Sequence, residues 1–388
     1  MKKKIFLVII GLIAFVLLLL GASMISNLTL PTRSRLTERL SEDEKARVAE
    51  MFHLRDELGN TVWPEWGDAD IPVIVHNEEY AFLLGYPGQP PAGWFKMPGR
   101  EKRGGPWEPV PEDTYQGKVY YRQPLPDPQT TPENFTVLVG DDWTATLYTR
   151  EYAEIAFYEG MQAEMPGFLR PLIPYRLLWR LVMGNTETYL EGLAHESFHA
   201  LQGINASERL ANAEQVARLE NSYPWEQEEV QIAWQREMAF LHQAVKAKSN
   251  HESLEYARKF LAQRQERRAL AEISPRMVDY ERKREWLEGL AKYAELTLGL
   301  MAGRSSDYEP IPAITDDPDF KNYTTQARFW SQQVNEIKRQ GTQAGETRFY
   351  YSGMAQANLL DRFAPGWKEQ IWQENIWLED LLSEAINE

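Results

Sequence analysis

The sequence predicts an α+β protein that is mainly helical, and three observations support this fold class. Residues 67–150 contain short apolar and β-branched runs between prolines and glycines, which is typical of strands and turns. Residues 151–388 carry apolar residues at helical spacing over long stretches. The unbroken apolar run 5–20, with a further apolar tail, is about long enough to cross a bilayer. We therefore expect a membrane helix, a small β-containing part and a helical remainder.

The amino-terminal residues 1–26 are interpreted as a membrane anchor. Three lysines precede the apolar run, and positive charge holds that end of a membrane helix in the cytoplasm. The remaining chain would then lie outside a cell membrane, attached by one pass, and the lysine-rich start without later cysteines suggests a bacterial protein. The alternative is a signal peptide that is cleaved near Gly21-Ala22-Ser23, which would leave a secreted protein.

The charge of the chain limits the classes of partner. The 388 residues carry a formal net charge of −15 and contain no cysteine. Nucleic-acid binding needs a basic face, so this acidity argues against a nucleic acid and against general attraction to anionic lipid. Without disulfides, stability must come from packing and from any bound metal.

Residues 27–66 are expected to form a juxtamembrane helical segment, because Ser41 precedes an amphipathic run and can cap its helix. This segment would hold residues 67–388 away from the membrane. Within the β-containing part, the clearest hairpin joins 135–139 to 143–148 around Gly140-Asp141-Asp142. Its strands could offer an edge to an extended peptide, although an ordinary position inside a sheet explains the pattern equally well.

The most informative motif is His195-Glu196-Ser197-Phe198-His199, which reads H-E-x-x-H. On a helix these histidines lie four residues apart on one face, so both imidazoles can reach one Zn²⁺ ion. Glu196 is the natural base for a metal-activated water. The motif requires a helix, and the preceding Asn185 and the apolar spacing predict one that ends near Gly203. The structural alternative is a buried helix that carries two satisfied histidines.

A catalytic zinc site needs a third protein ligand, and residues 286–295 offer a carboxylate for that role. Glu288 lies among bulky apolar residues and is followed by Gly289, so a solvated position explains it poorly. Glu295 lies two turns further on nearly the same helix face and could orient a ligating histidine. Glu191, one turn before His195, is the alternative for that orienting role.

Together these two segments resemble the gluzincin metallopeptidases, in which a second helix supplies a glutamate within an N-E-G-x-A-like motif. Residues 286–293 are most similar to the aminopeptidase branch, although Leu287 stands where that branch has asparagine and the gap between the helices is longer. The resemblance implies a zincin-like domain over residues 67–388, with His195, His199 and Glu288 on zinc and Glu196 as general base and acid.

The same resemblance extends to a tyrosine that precedes the Gly353-x-Ala355 helix. In the aminopeptidase branch such a tyrosine stabilises the oxyanion, and here it would be Tyr350, with Tyr351 as the alternative. Packing explains either tyrosine as well.

We therefore expect a membrane-anchored, extracytoplasmic zinc metallopeptidase that acts on a peptide or protein substrate. The alternative is an exported zinc-binding scaffold that keeps the zincin-like fold without cleaving. A carboxylate-bridged di-iron site would need a repeated E-x-x-H unit, and only Glu196 to His199 matches that unit.

Overall fold

The computed structural model describes residues 20–99, 101–125 and 136–387, together with positions 11 and 18. Most of the predicted anchor, at 1–10, 12–17 and 19, lies outside the described residues. Among the helices that are described, none combines the length and the apolar character needed to span a membrane. The described chain is mainly helical and carries one eight-stranded sheet, which confirms the predicted α+β class.

The sheet is built entirely from the part that was predicted to be β-rich. Its strands, in chain order, are β1 Val73–His76, β2 Tyr80–Leu84, β3 Trp94–Lys96, β4 Glu101–Arg103, β5 Glu108–Pro109, β6 Tyr121–Pro124, β7 Val137–Val139 and β8 Asp142–Tyr148. Their spatial order is β4-β3-β7-β8-β1-β2-β6-β5. The β1 and β8 strands pair in parallel, and every other neighbouring pair is antiparallel. Apolar side chains are buried on both faces of this sheet.

The predicted hairpin exists, but it offers no free edge for an extended peptide. Strands β7 and β8 pair with each other, and β3 covers the other side of β7. Strand β1 covers the other side of β8. The proline-rich stretch supplies β3 and β4 from far away in sequence, so the hairpin is interior to the sheet. That pairing could not be read from the local pattern.

The first long helix, α1 Glu42–Val62, starts where the sequence predicts. The Ser41 side chain caps it by accepting a hydrogen bond from the Glu44 N–H at 3.3 Å. Helix α1 packs against the later helices Thr186–Gln215 and Leu290–Ala302, and Met51, Val62 and Trp63 lie in the main core.

The remaining helices follow in chain order. They are α2 Arg150–Glu164, α3 Tyr175–Met183, α4 Thr186–Gln215, α5 Glu228–Lys246, α6 Asn250–Leu270, α7 Pro275–Arg284, α8 Leu290–Ala302, α9 Gln326–Gln340, α10 Thr347–Phe363 and α11 Leu378–Asn387. One π-helical turn, Glu285–Gly289, joins α7 to α8 without a break in the chain direction. The helices predicted in the second half of the sequence are thus confirmed, whereas this turn was not foreseen.

The helix that carries the H-E-x-x-H motif begins as predicted but ends later. The Asn185 side chain accepts a hydrogen bond from the Thr188 N–H at 3.1 Å and caps α4. Gly203 does not stop the helix, which continues to Gln215 with one non-helical residue at Ala206. Instead, Gly203 makes room for the Trp143 ring of β8, which a methyl group there would approach to 2.3 Å. This close approach lays the sheet directly on α4.

Candidate metal centre

The two motif histidines project from α4 towards one point. Their Nε2 atoms lie 3.1 Å apart, and both side chains are buried. The sheet holds this part of the helix from above, since the Thr136 hydroxyl donates a hydrogen bond to the Glu196 carbonyl oxygen at 3.3 Å. The i and i+4 spacing therefore brings both imidazoles to one point, as a helix requires.

The Glu288 carboxylate arrives at the same point from the π-helical turn. Its Oε2 lies 3.3 Å from His195 Nε2 and 3.4 Å from His199 Nε2. We call His195, His199 and Glu288 the metal cluster. The two histidines and the glutamate come from distant parts of the sequence, and all three side chains are buried.

A glycine contact allows this approach. A methyl group on Gly289 would lie 2.4 Å from the Gly353 Cα of α10, and one on Gly353 would lie 2.4 Å from the Glu285 carbonyl oxygen. Because neither residue has a side chain, α10 and the π-helical turn touch through their backbones. The turn and the residues of α10 near Tyr350 are therefore held close to the metal cluster.

The geometry of the metal cluster fits a tetrahedral cation. Two ligand atoms that each lie about 2.05 Å from a zinc ion in tetrahedral geometry are about 3.3 Å apart. The three observed separations, 3.1, 3.3 and 3.4 Å, form a nearly equilateral triangle of that size. Three ligand atoms of types that bind divalent cations therefore face one another, and this group could hold a metal ion.

Both imidazoles are oriented through their other nitrogen. The Nδ1 atom of His195 lies 2.6 Å from Glu295 Oε2, and the Nδ1 atom of His199 lies 2.7 Å from Gln202 Oε1. The Gln202 amide in turn donates to the Trp286 carbonyl at 2.8 Å. A carbonyl or carboxylate oxygen on Nδ1 favours a proton there, which leaves the Nε2 lone pair for a cation.

Burial and neighbouring charges act in opposite directions on the residues of the metal cluster. Burial lowers the pKa of His195, but the hydrogen bonds to Glu288 and Glu295 outweigh burial and raise it to about 10. Burial acts to raise the pKa of Glu288, but Arg284 and the two imidazoles hold it well below its ordinary value.

Glu196 stands beside the metal cluster with unused hydrogen-bonding capacity. Its side chain is buried, and its Oε2 has no hydrogen-bond partner. Burial raises the pKa of Glu196 to about 7, although the two imidazoles act in the opposite direction. A buried carboxylate oxygen without a partner is costly, so this oxygen is a candidate to bind a further group.

Arg284 is a contributor that sequence reasoning missed. Its Nη2 donates to Glu288 Oε1 at 2.6 Å and to Glu346 Oε1 at 3.0 Å. This bond occupies the Glu288 oxygen that faces away from the imidazoles and leaves Oε2 directed towards them. Gln202 was missed as well. Both lie at helical spacing from a ligand, Arg284 four residues before Glu288 and Gln202 three residues after His199, and that spacing could have identified them.

The structure distinguishes the two tyrosine candidates, because their side chains have different neighbours. The Tyr350 ring is stacked on His195, with centroids 5.9 Å apart and planes inclined by 8°. Burial and the charge of Glu288 hold the pKa of Tyr350 well above its ordinary value, so its hydroxyl keeps its proton at neutral pH. Tyr351 instead donates to Gln333 Oε1 at 2.8 Å and is turned towards α9. Only Tyr350 therefore lies against the metal cluster.

The alternative orienting residue, Glu191, does not contact the histidines among the described bonds. Its Oε1 has no partner and lies near Gly299, where a methyl group would meet it at 2.9 Å. Glu295 occupies the orienting position instead. The described residues that could jointly hold a metal form one group, and it contains no second E-x-x-H unit.

Comparisons of the chain with protein-family models, with curated proteins and with solved structures found no match.

Proposed function

We propose that this protein is a zinc metallopeptidase of the gluzincin type, anchored in a membrane with its catalytic domain outside the cytoplasm. The observation that carries the proposal is the triangle formed by the Nε2 atoms of His195 and His199 with Glu288 Oε2. A donor set of two histidines and one glutamate leaves a fourth tetrahedral position for water, as in hydrolytic zinc sites.

A zinc ion held by His195, His199 and Glu288 would lower the pKa of a bound water towards 7 and polarise a substrate carbonyl. Glu196 is assigned as the base, because it directly follows His195 in the motif, its charge interacts with both imidazoles, and its Oε2 has no described partner. In this role Oε2 takes the proton of the attacking water and then passes it to the leaving amine. With its pKa raised to about 7, the carboxyl can both hold and release that proton near neutral pH.

Tyr350 is assigned as the oxyanion donor. Its hydroxyl remains protonated at neutral pH, and its ring lies against His195. A protonated phenol beside the site can donate a hydrogen bond to the oxygen on which negative charge develops. Arg284 and Glu295 position the ligands through Glu288 and His195 and do not themselves meet the substrate in this assignment.

One observation favours the alternative of an exported zinc-binding scaffold. Each residue of the metal cluster is less than a tenth exposed, and closed zinc sites are typical of structural roles. A structural site, however, has four protein ligands, and the described cluster has three. The unpartnered Glu196 oxygen also has no purpose in a purely structural site, so we favour hydrolysis.

The metal assignment is tested by elemental analysis of the purified protein. Zinc at about one equivalent is expected in the wild type, and His199→Ala should lose it because two ligands do not retain the ion. His251→Ala is the matched control, since this exposed histidine lies far along the chain on α6. Full zinc occupancy in His199→Ala would refute the ligand set.

The catalytic assignment is tested by cleavage of an unfolded protein with and without a chelator. Glu196→Gln should retain zinc and lose hydrolysis, with Glu208→Gln, an exposed glutamate on the same helix, as the control. Zinc-loaded wild type that cleaves nothing would favour the scaffold, and cleavage by zinc-loaded Glu196→Gln would exclude Glu196 as the base. Sequencing the amino terminus of the membrane-bound protein would show whether residues 1–26 are retained.

A further inference from the structure

The segment 166–183 differs in charge from the whole chain. It contains Arg170, Arg176 and Arg180 and no aspartate or glutamate, whereas the chain as a whole has a net charge of −15. The segment also carries Phe168 and seven leucine, isoleucine and valine residues, four of them in α3. A basic and apolar surface is therefore present on an otherwise acidic protein.

Helix α3 is apolar on its outer side as well as on its inner side. Its inner face places Tyr175 and Trp179 in a small buried cluster against α2. At 100° per residue the opposite face carries Leu177 and Leu181, which are 54% and 72% exposed. A surface helix in water normally presents polar residues on that face. The exposed leucines indicate that another apolar phase covers α3.

Neighbouring residues extend this surface. Phe168 is 77% exposed and Val182 is 61% exposed at the two ends of the segment. Ile25 and Leu28, from the chain that leads out of the apolar amino-terminal run, are 71% and 85% exposed. We call these six residues the apolar patch, namely Ile25, Leu28, Phe168, Leu177, Leu181 and Val182.

Direct contacts hold the amino-terminal chain beside α3. The Asn27 side chain donates to the Pro171 and Ile173 carbonyl oxygens at 3.0 and 2.9 Å. Arg176 donates to the Thr29 carbonyl oxygen at 2.5 Å. A groove of about 410 Å³ separates Leu20 and Ser23 from Leu177. The predicted membrane run ends at residue 20, so the apolar patch begins where that run leaves off.

We propose that the apolar patch lies in the interfacial layer of a lipid bilayer that contains anionic phospholipid, with Arg170 and Arg180 at the headgroups. Helix α3 then lies in the plane of the membrane surface and fixes the orientation of the domain. Amphipathic helices with arginine beside an apolar face bind membranes in this way. Continuity with the predicted anchor favours lipid over a second protein copy. The inference rests on the anchor and uses no residue of the metal cluster.

The absence of cysteine allows a clean test by site-directed spin labelling. The full chain, carrying a nitroxide at Leu177→Cys or Leu181→Cys, is reconstituted into vesicles of phosphatidylcholine with phosphatidylglycerol. Power saturation then compares collisions with oxygen, which partitions into lipid, and with a water-soluble nickel chelate. Leu270→Cys on α6 is the matched control, because Leu270 is 56% exposed and lies on another element.

A ratio of oxygen to nickel collisions that is several-fold higher at positions 177 and 181 than at 270 supports the proposal. Equal ratios at the three positions overturn it, as does a full chain that remains in the aqueous fraction. Spin–spin broadening at position 181 that disappears on dilution with unlabelled chain would assign the patch to a second copy and would also overturn it.

The charge of the segment gives an independent arm of the same experiment. Anionic lipid is expected to draw the label at position 181 deeper into the membrane than phosphatidylcholine alone does. In the double variant Arg170→Gln/Arg180→Gln this difference in depth should disappear, because the attraction to the headgroups is removed. A depth that depends on anionic lipid equally with and without these arginines would contradict their assignment. Urea unfolding serves as the fold control, and the depth of the label needs neither zinc nor cleavage, so failure of the peptidase proposal and failure of this one remain distinguishable.

Discussion

Two buried groups of charges lie on either side of the π-helical turn, and they are completed in different ways. The first is the metal cluster with Glu196 beside it. The second, which we call the ion-pair cluster, joins four arginines to four glutamates, namely Arg264, Arg267, Arg268, Arg282, Glu237, Glu281, Glu285 and Glu379. Only the second group balances its carboxylates with an equal number of guanidinium groups.

The ion-pair cluster is satisfied by the protein alone. Arg264 contacts Glu237 at 2.8 Å and Glu379 at 2.9 Å, and Arg267 contacts Glu237 and Glu281 at 2.6 Å. Burial acts to raise the pKa of Glu281, but Arg267 and its neighbours outweigh burial and lower it to about 2. This group therefore has no need of a further ion.

The carboxylates at the metal cluster are not all paired within the protein. The Glu196 oxygen Oε2 has no partner, and the pKa of Glu196 is raised to about 7 where that of Glu281 is lowered. The comparison teaches that buried carboxylates alone do not indicate a metal site. Converging atoms of ligand type, together with an unpartnered carboxylate oxygen on the same helix, are what support the proposed metal site.

The two groups are mechanically joined through the π-helical turn. Glu285 in this turn pairs with Arg264 at 2.5 Å and accepts a hydrogen bond from the Ser352 hydroxyl of α10. Glu288, three residues later, serves the metal cluster. The ion-pair cluster thus holds the segment from which the third ligand projects.

The largest effect is expected from Arg267→Met, which breaks the ion-pair cluster. Glu237 and Glu281 would lose a fully buried partner, so the free energy of unfolding should fall by roughly 3–5 kcal/mol. Urea unfolding measures this loss, with the exposed Arg236→Met as the control. A loss no larger than that of the control would show that the ion-pair cluster is not structural.

A smaller effect is expected from Gly353→Ala, which separates α10 from the π-helical turn. The added methyl would lie 2.4 Å from the Glu285 carbonyl, and such overpacking costs about 1–3 kcal/mol. Zinc affinity should fall as well, because Glu288 moves. Gly160→Ala in α2 meets no atom within 4 Å and should leave both quantities undiminished. Unchanged zinc affinity in Gly353→Ala would show that the contact between α10 and the π-helical turn does not position Glu288.

Glu295→Gln tests the orientation of His195 with a milder change. The amide can still hold the Nδ1 proton but lacks the charge, and loss of such a partner typically weakens metal binding about 10–100-fold. Competition with a zinc chelator measures the affinity. Glu191→Gln serves for comparison, since Glu191 lies on α4 without a described bond to either imidazole. Equal losses in both variants would argue against a specific role for Glu295.

The last expected effect is a pH dependence of the ion-pair cluster. The pKa of Glu281 is lowered to about 2 from its ordinary value of 4.5, so its contribution to stability is present above pH 4.5. That contribution should disappear as the pH falls from 4.5 towards 2, by at most about 1.4 kcal/mol per pH unit for one group. Urea unfolding should therefore show a shallower acid slope in Glu281→Gln, and an unchanged slope would contradict the assignment.

Much of the fold followed from local patterns. The strands β1 and β2, the hairpin β7–β8 and the long helices of residues 228–302 were expected from periodicity and turn residues. The Ser41 and Asn185 caps were also recognisable, because a cap depends on the residues next to it. The stop at Gly203 was wrong, and the choice between an edge and an interior position for the hairpin fell to the interior, since each is decided by a partner that is distant in sequence.

The sequence by itself determined that two imidazoles share one face of α4, because four residues make about one helical turn. It also indicated Glu288, through an acidic residue among apolar neighbours. Only the tertiary structure decided that Glu288 reaches those imidazoles, that Tyr350 and not Tyr351 lies against His195, and that Arg284 holds the third ligand. These outcomes depend on a π-helical turn and on backbone contact between Gly289 and Gly353, and such contacts between helices leave no periodic signal in the chain.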